Sequence, residues 1–184
     1  MSGEVVRAEL VQGNIIVWDV ERGRDLYRFG YYGKPLGISK PKSADFNAPL
    51  VLDIIEAIYL AEKGILEVYE DGRKLEIEEM INYAESIYEN FRERYQVYKD
   101  LRERGFIVTP GIKFGSDFAV YRVGPGLEHA PFIVQVKLAG EMLSALELVR
   151  SGRLATTVRK YFTIAVPDIA GEKIAYILFE WWRA

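Results

Sequence analysis

The spacing of apolar and polar positions changes several times along the chain. Residues 5–33 alternate irregularly and are rich in Val, Ile and Tyr. VVRAELV, NIIVWDV and DLYRFG read as three short strands, separated at Gln12-Gly13 and Arg22-Gly23. GKPLGISKPKSADFNAPL has no period and reads as an exposed loop. A helix is expected next, with Asn47 as N-cap, Pro49 in the first turn, Leu50, Val51, Ile54, Ile55 and Ile58 on its apolar face, and Gly64 closing it. Asp71-Gly72, between two alternating runs, predicts a hairpin. From Glu78 to Arg104 the residues Ala84, Ile87, Tyr88, Phe91, Tyr95, Tyr98 and Leu101 recur at helical spacing, and Gly105 ends the run.

The second half alternates strand and helix. FIVTP, SDFAVYRV and HAPFIVQVKL read as strands, GEMLSALELVR as a helix, and RKYFTIAV and KIAYILFEWW as two last strands joined by PDIAGE. Such an order predicts a mixed sheet with helices packed on it, so the fold class is α/β (α+β). The change of style inside the long helical stretch places a domain boundary there. The expected domains are a small N-terminal α/β domain at 1–88 and a second α/β domain at 89–184.

Composition narrows the chemistry. With 49% apolar and 28% charged residues among 184, the chain can bury a substantial core. It has no cysteine and one histidine, His129, which removes thiol nucleophiles, Cys-ligated metals and any site needing two imidazoles in one subunit. The net charge of −3 excludes a globally basic nucleic-acid binder but leaves room for a local basic groove. Met-Ser-Gly-Glu has no apolar signal core and Leu50–Ala61 is too short to span a bilayer, so a cytoplasmic protein without membrane contact is expected. Few Gln and Asn beside many Glu, Lys and Arg hint at a thermophile.

Three residues have useful chemistry in suggestive places. His129 follows a Gly-Pro-Gly turn and precedes a strand, Tyr121 ends the strand before that turn, and Lys160 opens the strand after the helix. Read singly, each has an ordinary explanation. A lone histidine is more often a surface or hydrogen-bonded residue, most of twelve tyrosines must pack, and a lysine at a strand start is usually solvated.

The wording around them says more. YKDLRERGFIVTPGIKFGSDFAVYRVGPGLEHAPFIVQV, followed by RLATTVRKYFTIAV, closely resembles the catalytic domain of the archaeal tRNA-intron (tRNA-splicing) endonucleases, and LYRFGYYGKPLG with LVLDIIEAIYLAEKG resembles their N-terminal domain. The resemblance implies a restriction-endonuclease-like C-terminal domain and an active site of Tyr121, His129 and Lys160. It implies an RNA lyase that excises introns at a bulge–helix–bulge of precursor tRNA, needs no metal or other cofactor, and leaves 2′,3′-cyclic phosphate and 5′-hydroxyl ends.

Those residue types suit that reaction. The RNA supplies its own 2′-hydroxyl nucleophile. The enzyme must take one proton, give another and stabilise charge on phosphorus. An imidazole, with an ordinary pKa of about 6.5, suits protonation of the 5′-oxygen, which points to His129. Tyr121 would take the 2′-hydroxyl proton, but a phenol with an ordinary pKa of about 10 needs a nearby cation to do so, and Lys160 would supply it. Family resemblance further implies that Arg153 and a second flat side chain, Trp181 with Trp182 as fallback, clamp a flipped base, a stack worth ~1–3 kcal/mol and tolerant of any base. It assigns RNA contacts in the lysine-bearing loop to Lys42 first and Lys40 second, and a subunit interface to Asp168 and Glu172 in the last loop. The implied assembly is a heterotetramer with a structural subunit, of the crenarchaeal type, or alternatively a homotetramer.

Two rivals remain open. In a metal-dependent nuclease of the restriction-endonuclease fold, Asp117 would be followed by an acidic residue two before a lysine, but Gln135 stands two before Lys137. A non-catalytic structural subunit of the splicing enzyme would lack the Tyr–His–Lys set, which is present here.

Overall fold

Strands β1 (Val6–Val11) and β2 (Asn14–Val17) form a hairpin across Gln12 and Gly13, both with positive φ, as a two-residue turn of this hand requires. The computed structural model describes residues 5–38, 41, 43–111, 115–157, 160–168, 170 and 173–179, leaving aside the side chains of 150, 151 and 154–157. The chain divides into two compact units, residues 1–89 and 90–184.

DLYRFG is not a third strand. It lies in helix α1 (Val20–Gly30), whose N-cap Asp19 accepts the Arg22 N–H at 3.1 Å. Gly23, Leu26 and Tyr27 share one buried face at helical spacing. Gly23 belongs there because a Cβ on it would come within 3.0 Å of the Cβ of Leu50. The expected loop contributes the short β3 (Lys34–Pro35), and Asn47 caps no helix. Residues 50–52 form strand β4 (Leu50–Leu52), with Leu50 and Leu52 buried and Val51 half-buried, paired to β2 and β3. The helix starts later, as α2 (Ile54–Glu62), because Asp53 and Glu56 make a reciprocal capping box. Hairpin β5 (Leu66–Glu70) and β6 (Arg73–Lys74) turns at Asp71-Gly72 as expected, both with positive φ. Parallel pairing of β1 with β5 gives a mixed sheet in the order β3-β4-β2-β1-β5-β6; α2 packs against β2 and β5, and Ile15, Val17 and Val68 are buried.

The long helical stretch is two helices, α3 (Ile77–Ile87) and α4 (Phe91–Glu103). Tyr88 is extended and Asn90 is left-handed, a conformation asparagine tolerates. Ile87 and Tyr88, which the spacing assigns to an apolar stripe, are exposed, so nothing at the join rewards continuing the helix.

The second unit carries β7 (Ile107–Pro110), β8 (Phe118–Tyr121), β9 (Phe132–Val136), α5 (Ala145–Thr157), β10 (Tyr161–Asp168) and β11 (Lys173–Phe179). Strands β8 and β9 are shorter than their alternating runs, and α5 starts at Ala145 rather than Gly140, where Ser144 accepts the Glu147 N–H. The sheet order is β11-β10-β9-β8-β7, with β9 and β10 parallel and α5 as their crossover. Each face buries a distinct set. Tyr98 of α4 packs on Phe118 with ring centroids 5.9 Å apart, whereas Ile133, Phe162 and Ile164 on the opposite face pack with Leu143 and Leu148. Buried Arg102 is satisfied by Tyr98 Oη and the Val108 carbonyl, both at 3.0 Å, and so ties α4 to β7. Among the described residues no helix is long and apolar enough to cross a membrane.

Candidate active site

Strand register brings Tyr121 and Lys160 to one place. Val120 and Tyr161 both pair with Phe132, from opposite sides of β9. One residue further, Tyr121 and Lys160 flank Pro131, and the bond from Tyr161 N–H to the Pro131 carbonyl at 2.8 Å holds that level. Residues on one level of a sheet face the same way, so both side chains stand on the face that carries α5. His129 lies two residues before Pro131, on the approach to β9, and is exposed. The C-terminal end of β8 and the N-terminal ends of β9 and β10 therefore collect the Tyr, the His and the Lys. Helix α5 runs back to the start of β10, which sets Arg153, three residues after Arg150 and exposed, at that same end of the sheet.

Lys160 is half-buried, and its Nζ donates to the Ala130 carbonyl at 2.5 Å, next to His129. Burial lowers its pKa. The carbonyl dipole at Ala130 orients the ammonium beside His129. Tyr121 is shifted the other way. Burial raises its pKa first, Glu128 adds to the rise, and a hydrogen bond with Thr109 opposes it. Thr109 sits diagonally across the ladder, opposite Ala119 and on the Tyr121 face. The phenol is thus protonated at rest, and the cationic help that the sequence reading wanted from Lys160 is not among the influences that set its shift.

Asp117, the residue a metal-dependent reading would use, is engaged within the fold. Its Oδ2 accepts the Val136 N–H at 2.7 Å and its Oδ1 lies 3.2 Å from Arg94. Lys137 is bound by Glu141 at 2.7 Å and Glu147 at 3.0 Å. Among the described residues no group of three His, Cys, Asp or Glu side chains is placed to hold a metal ion.

Of the other residues singled out from sequence, Asp168 closes β10 and its carbonyl accepts the Gln96 amide at 3.3 Å. It lies at the far end of the strand from Lys160, roughly 25 Å away at a rise of about 3.3 Å per residue. Lys40, Lys42, Glu172, Trp181 and Trp182 lie outside the described residues. Sequence reasoning missed Thr109, the Ala130 carbonyl and Glu128. Thr109 was visible only as a polar residue in an apolar strand. Glu128 was visible as an acid beside the lone histidine, after a turn.

Residues 91–176 match the model of the tRNA intron endonuclease catalytic C-terminal domain, and residues 6–81 match that of the tRNA intron endonuclease N-terminal domain. A tRNA-splicing endonuclease of Hyperthermus butylicus is 48% identical over 178 residues, covering 96% of this chain and 98% of that protein. Proteins of the same description from Sulfurisphaera tokodaii and Saccharolobus islandicus are 43% identical over 174 residues and 44% identical over 179, covering 94% and 96% of this chain and 97% and 98% of their own lengths. With both of its domains matched in order and relatives similar across nearly their whole length, the chain belongs to the tRNA intron endonuclease family.

Proposed function

We propose that this chain cuts precursor tRNA at a bulge–helix–bulge without a metal ion, leaving a 2′,3′-cyclic phosphate and a 5′-hydroxyl. The 2′-oxygen attacks phosphorus in line, forming the P–O2′ bond as the P–O5′ bond breaks. Tyr121 takes the 2′-hydroxyl proton, His129 gives a proton to the departing 5′-oxygen, and Lys160 offsets the added charge on the phosphate. The observation that carries this reading is the register that sets Tyr121, Pro131 and Lys160 on one level, with His129 beside them. As Tyr121 is protonated at rest, proton removal is its hardest step, and the charge of Lys160 matters most once substrate has displaced water.

Substrate is held by separate groups. Arg153 and one of Trp181 and Trp182 clamp a bulge base, and Lys42 or Lys40 adds a contact to the RNA backbone. Residues 1–88 form the N-terminal domain and 89–184 the catalytic one. Family membership implies a tRNA substrate and an oligomeric assembly. The proposed form is a cytoplasmic heterotetramer with a structural subunit, the alternative being a homotetramer, with Asp168 and Glu172 at a subunit interface. An interface at the Asp168 end would leave the Lys160 end open to RNA.

The test is to incubate a bulge–helix–bulge RNA with the chain alone, and then with a candidate structural subunit, in EDTA. Cyclic-phosphate product is expected in at least one combination. Absence of product in every combination refutes the reading, and cleavage that appears only when magnesium is restored refutes the metal-free mechanism.

A further inference from the structure

The loop between Tyr121 and His129 is closed by one of its own side chains. The Glu128 Oε1 accepts the Val123 N–H at 2.5 Å, across the turn from its own residue. Its backbone completes the closure. The N–H groups of Leu127 and Glu128 both donate to the Gly124 carbonyl at 3.2 Å, and Pro125 bridges to Glu128. Packing contributes the Arg122 guanidinium, 5.4 Å from the Phe132 ring centre, whereas Val123 and Leu127 are 57% and 69% exposed. A loop with exposed apolar tips depends on its hydrogen bonds for its shape. A carboxylate accepting a backbone N–H makes such a hold firmer, since charge-assisted bonds are about twice as strong as neutral ones.

We infer that Glu128 is a positioning residue, whose carboxylate clamps the 122–128 loop and so fixes the imidazole of His129 relative to Tyr121 and Lys160. The inference rests on His129 being the general acid. The clamp joins Val123, two residues after Tyr121, to Glu128, the residue before His129, so both sides of the loop are set by one group. Lys160 holds the next link, through the Ala130 carbonyl. His129 thus lies between two anchors, Glu128 and Ala130, which supply the precision that its own exposed position does not.

The experiment compares two bulge–helix–bulge RNAs in the cleaving assembly. One has the natural 5′-oxygen at the scissile phosphate and the other has a bridging 5′-sulfur, which leaves as a thiolate and needs no proton. On the oxygen RNA, Glu128→Ala is expected to lower kcat about 10–100-fold with little change in KM, the range typical of an orienting group. On the sulfur RNA the loss should shrink to about threefold or less, because an acid out of place no longer matters. Glu128→Gln, which keeps an acceptor but no charge, should fall between and serves if the alanine variant folds poorly. Equal losses on the two RNAs, or no loss on either, overturn the inference. His129→Ala serves as the control. If sulfur rescues it but not Glu128→Ala, the positioning role alone fails, whereas if sulfur does not rescue it, His129 is not the acid and the underlying reading fails as well.

Discussion

Charged and titratable side chains serve differently in the first unit and at one end of the second unit's sheet. In the first, carboxylates start helices and pair across the sheet surface. Asp53 and Glu56 box the start of α2, Glu76 and Glu79 box the start of α3, Arg73 meets Glu79 at 2.9 Å, and Lys74 meets Glu67 at 2.7 Å. In the second unit, at the ends of β8, β9 and β10, Lys160 and Tyr121 have pKa values displaced chiefly by burial. Lys160 is met by a carbonyl, and Tyr121 by a hydroxyl. Charges in the first group support the fold locally. Those in the second are partly desolvated at one end of the sheet, an arrangement suited to a charged visitor. If that contrast is right, substitutions at the strand ends should abolish cleavage and leave stability, and substitutions in the first unit should do the reverse.

The largest expected effect is on cleavage. His129→Ala should lower the single-turnover rate by about 10³-fold, or ~4 kcal/mol of transition-state stabilisation. Its melting temperature should stay close to the wild-type value, because His129 is exposed. RNA binding should also persist. A variant that cleaves normally removes His129 from the mechanism. A variant that melts early makes His129 part of the fold and breaks the contrast.

Next comes Gly23→Ala in the first unit. Alanine ordinarily favours a helix by about 1 kcal/mol over glycine. Here the added Cβ would sit 3.0 Å from the Cβ of Leu50, a fully buried residue whose backbone is fixed by two strand partners. Leu50 has no room to yield, so the crowding should win and the net loss should be about 1–3 kcal/mol. Urea unfolding would measure it, and kcat of the folded variant well below its melting point should match wild type. A stabilised variant would mean that α1 and β4 can move apart.

These two positions also show what could be read from sequence. The wording around Tyr121, His129 and Lys160 carried the family, and the alternation of the strands beside them carried the mixed sheet. Asp71-Gly72 gave its hairpin because that pair fits positive φ at both turn positions. DLYRFG did not reveal its helix, because a six-residue apolar–polar run fits either period, and only burial of Gly23 against Leu50 decides between them. Leu50–Leu52 was hidden for the converse reason: its apolar residues continue the helical pattern of α2, and the boundary depends on the box between Asp53 and Glu56. The Glu128 clamp and the grip of Lys160 on the Ala130 carbonyl are contacts to backbone atoms, which no side-chain pattern encodes.

The smallest expected effect tests whether a carboxylate in the first unit carries any burden of its own. Asp53 has its pKa raised, by burial first, against the lowering effects of the Ile55 N–H, the Tyr88 hydroxyl and Lys34. A carboxyl whose folded pKa lies above its unfolded value releases its proton more readily from the unfolded chain. Its contribution to stability therefore falls as pH rises from the unfolded value through the folded one, and is flat above that. Asparagine caps a helix nearly as well as aspartate, accepts the same Ile55 N–H, and has no charge to bury. Asp53→Asn should then lie within about 0.5 kcal/mol of wild type at low pH, where both side chains are neutral. The difference should move in favour of the variant as pH rises past the ordinary carboxylate range, then level off. Urea unfolding from about pH 3 to about pH 7 would follow it. A difference that is constant with pH, or that turns against the variant as pH rises, would show that Tyr88, Lys34 and the capping bonds outweigh burial, and that even the buried end of α2 holds a fully compensated charge.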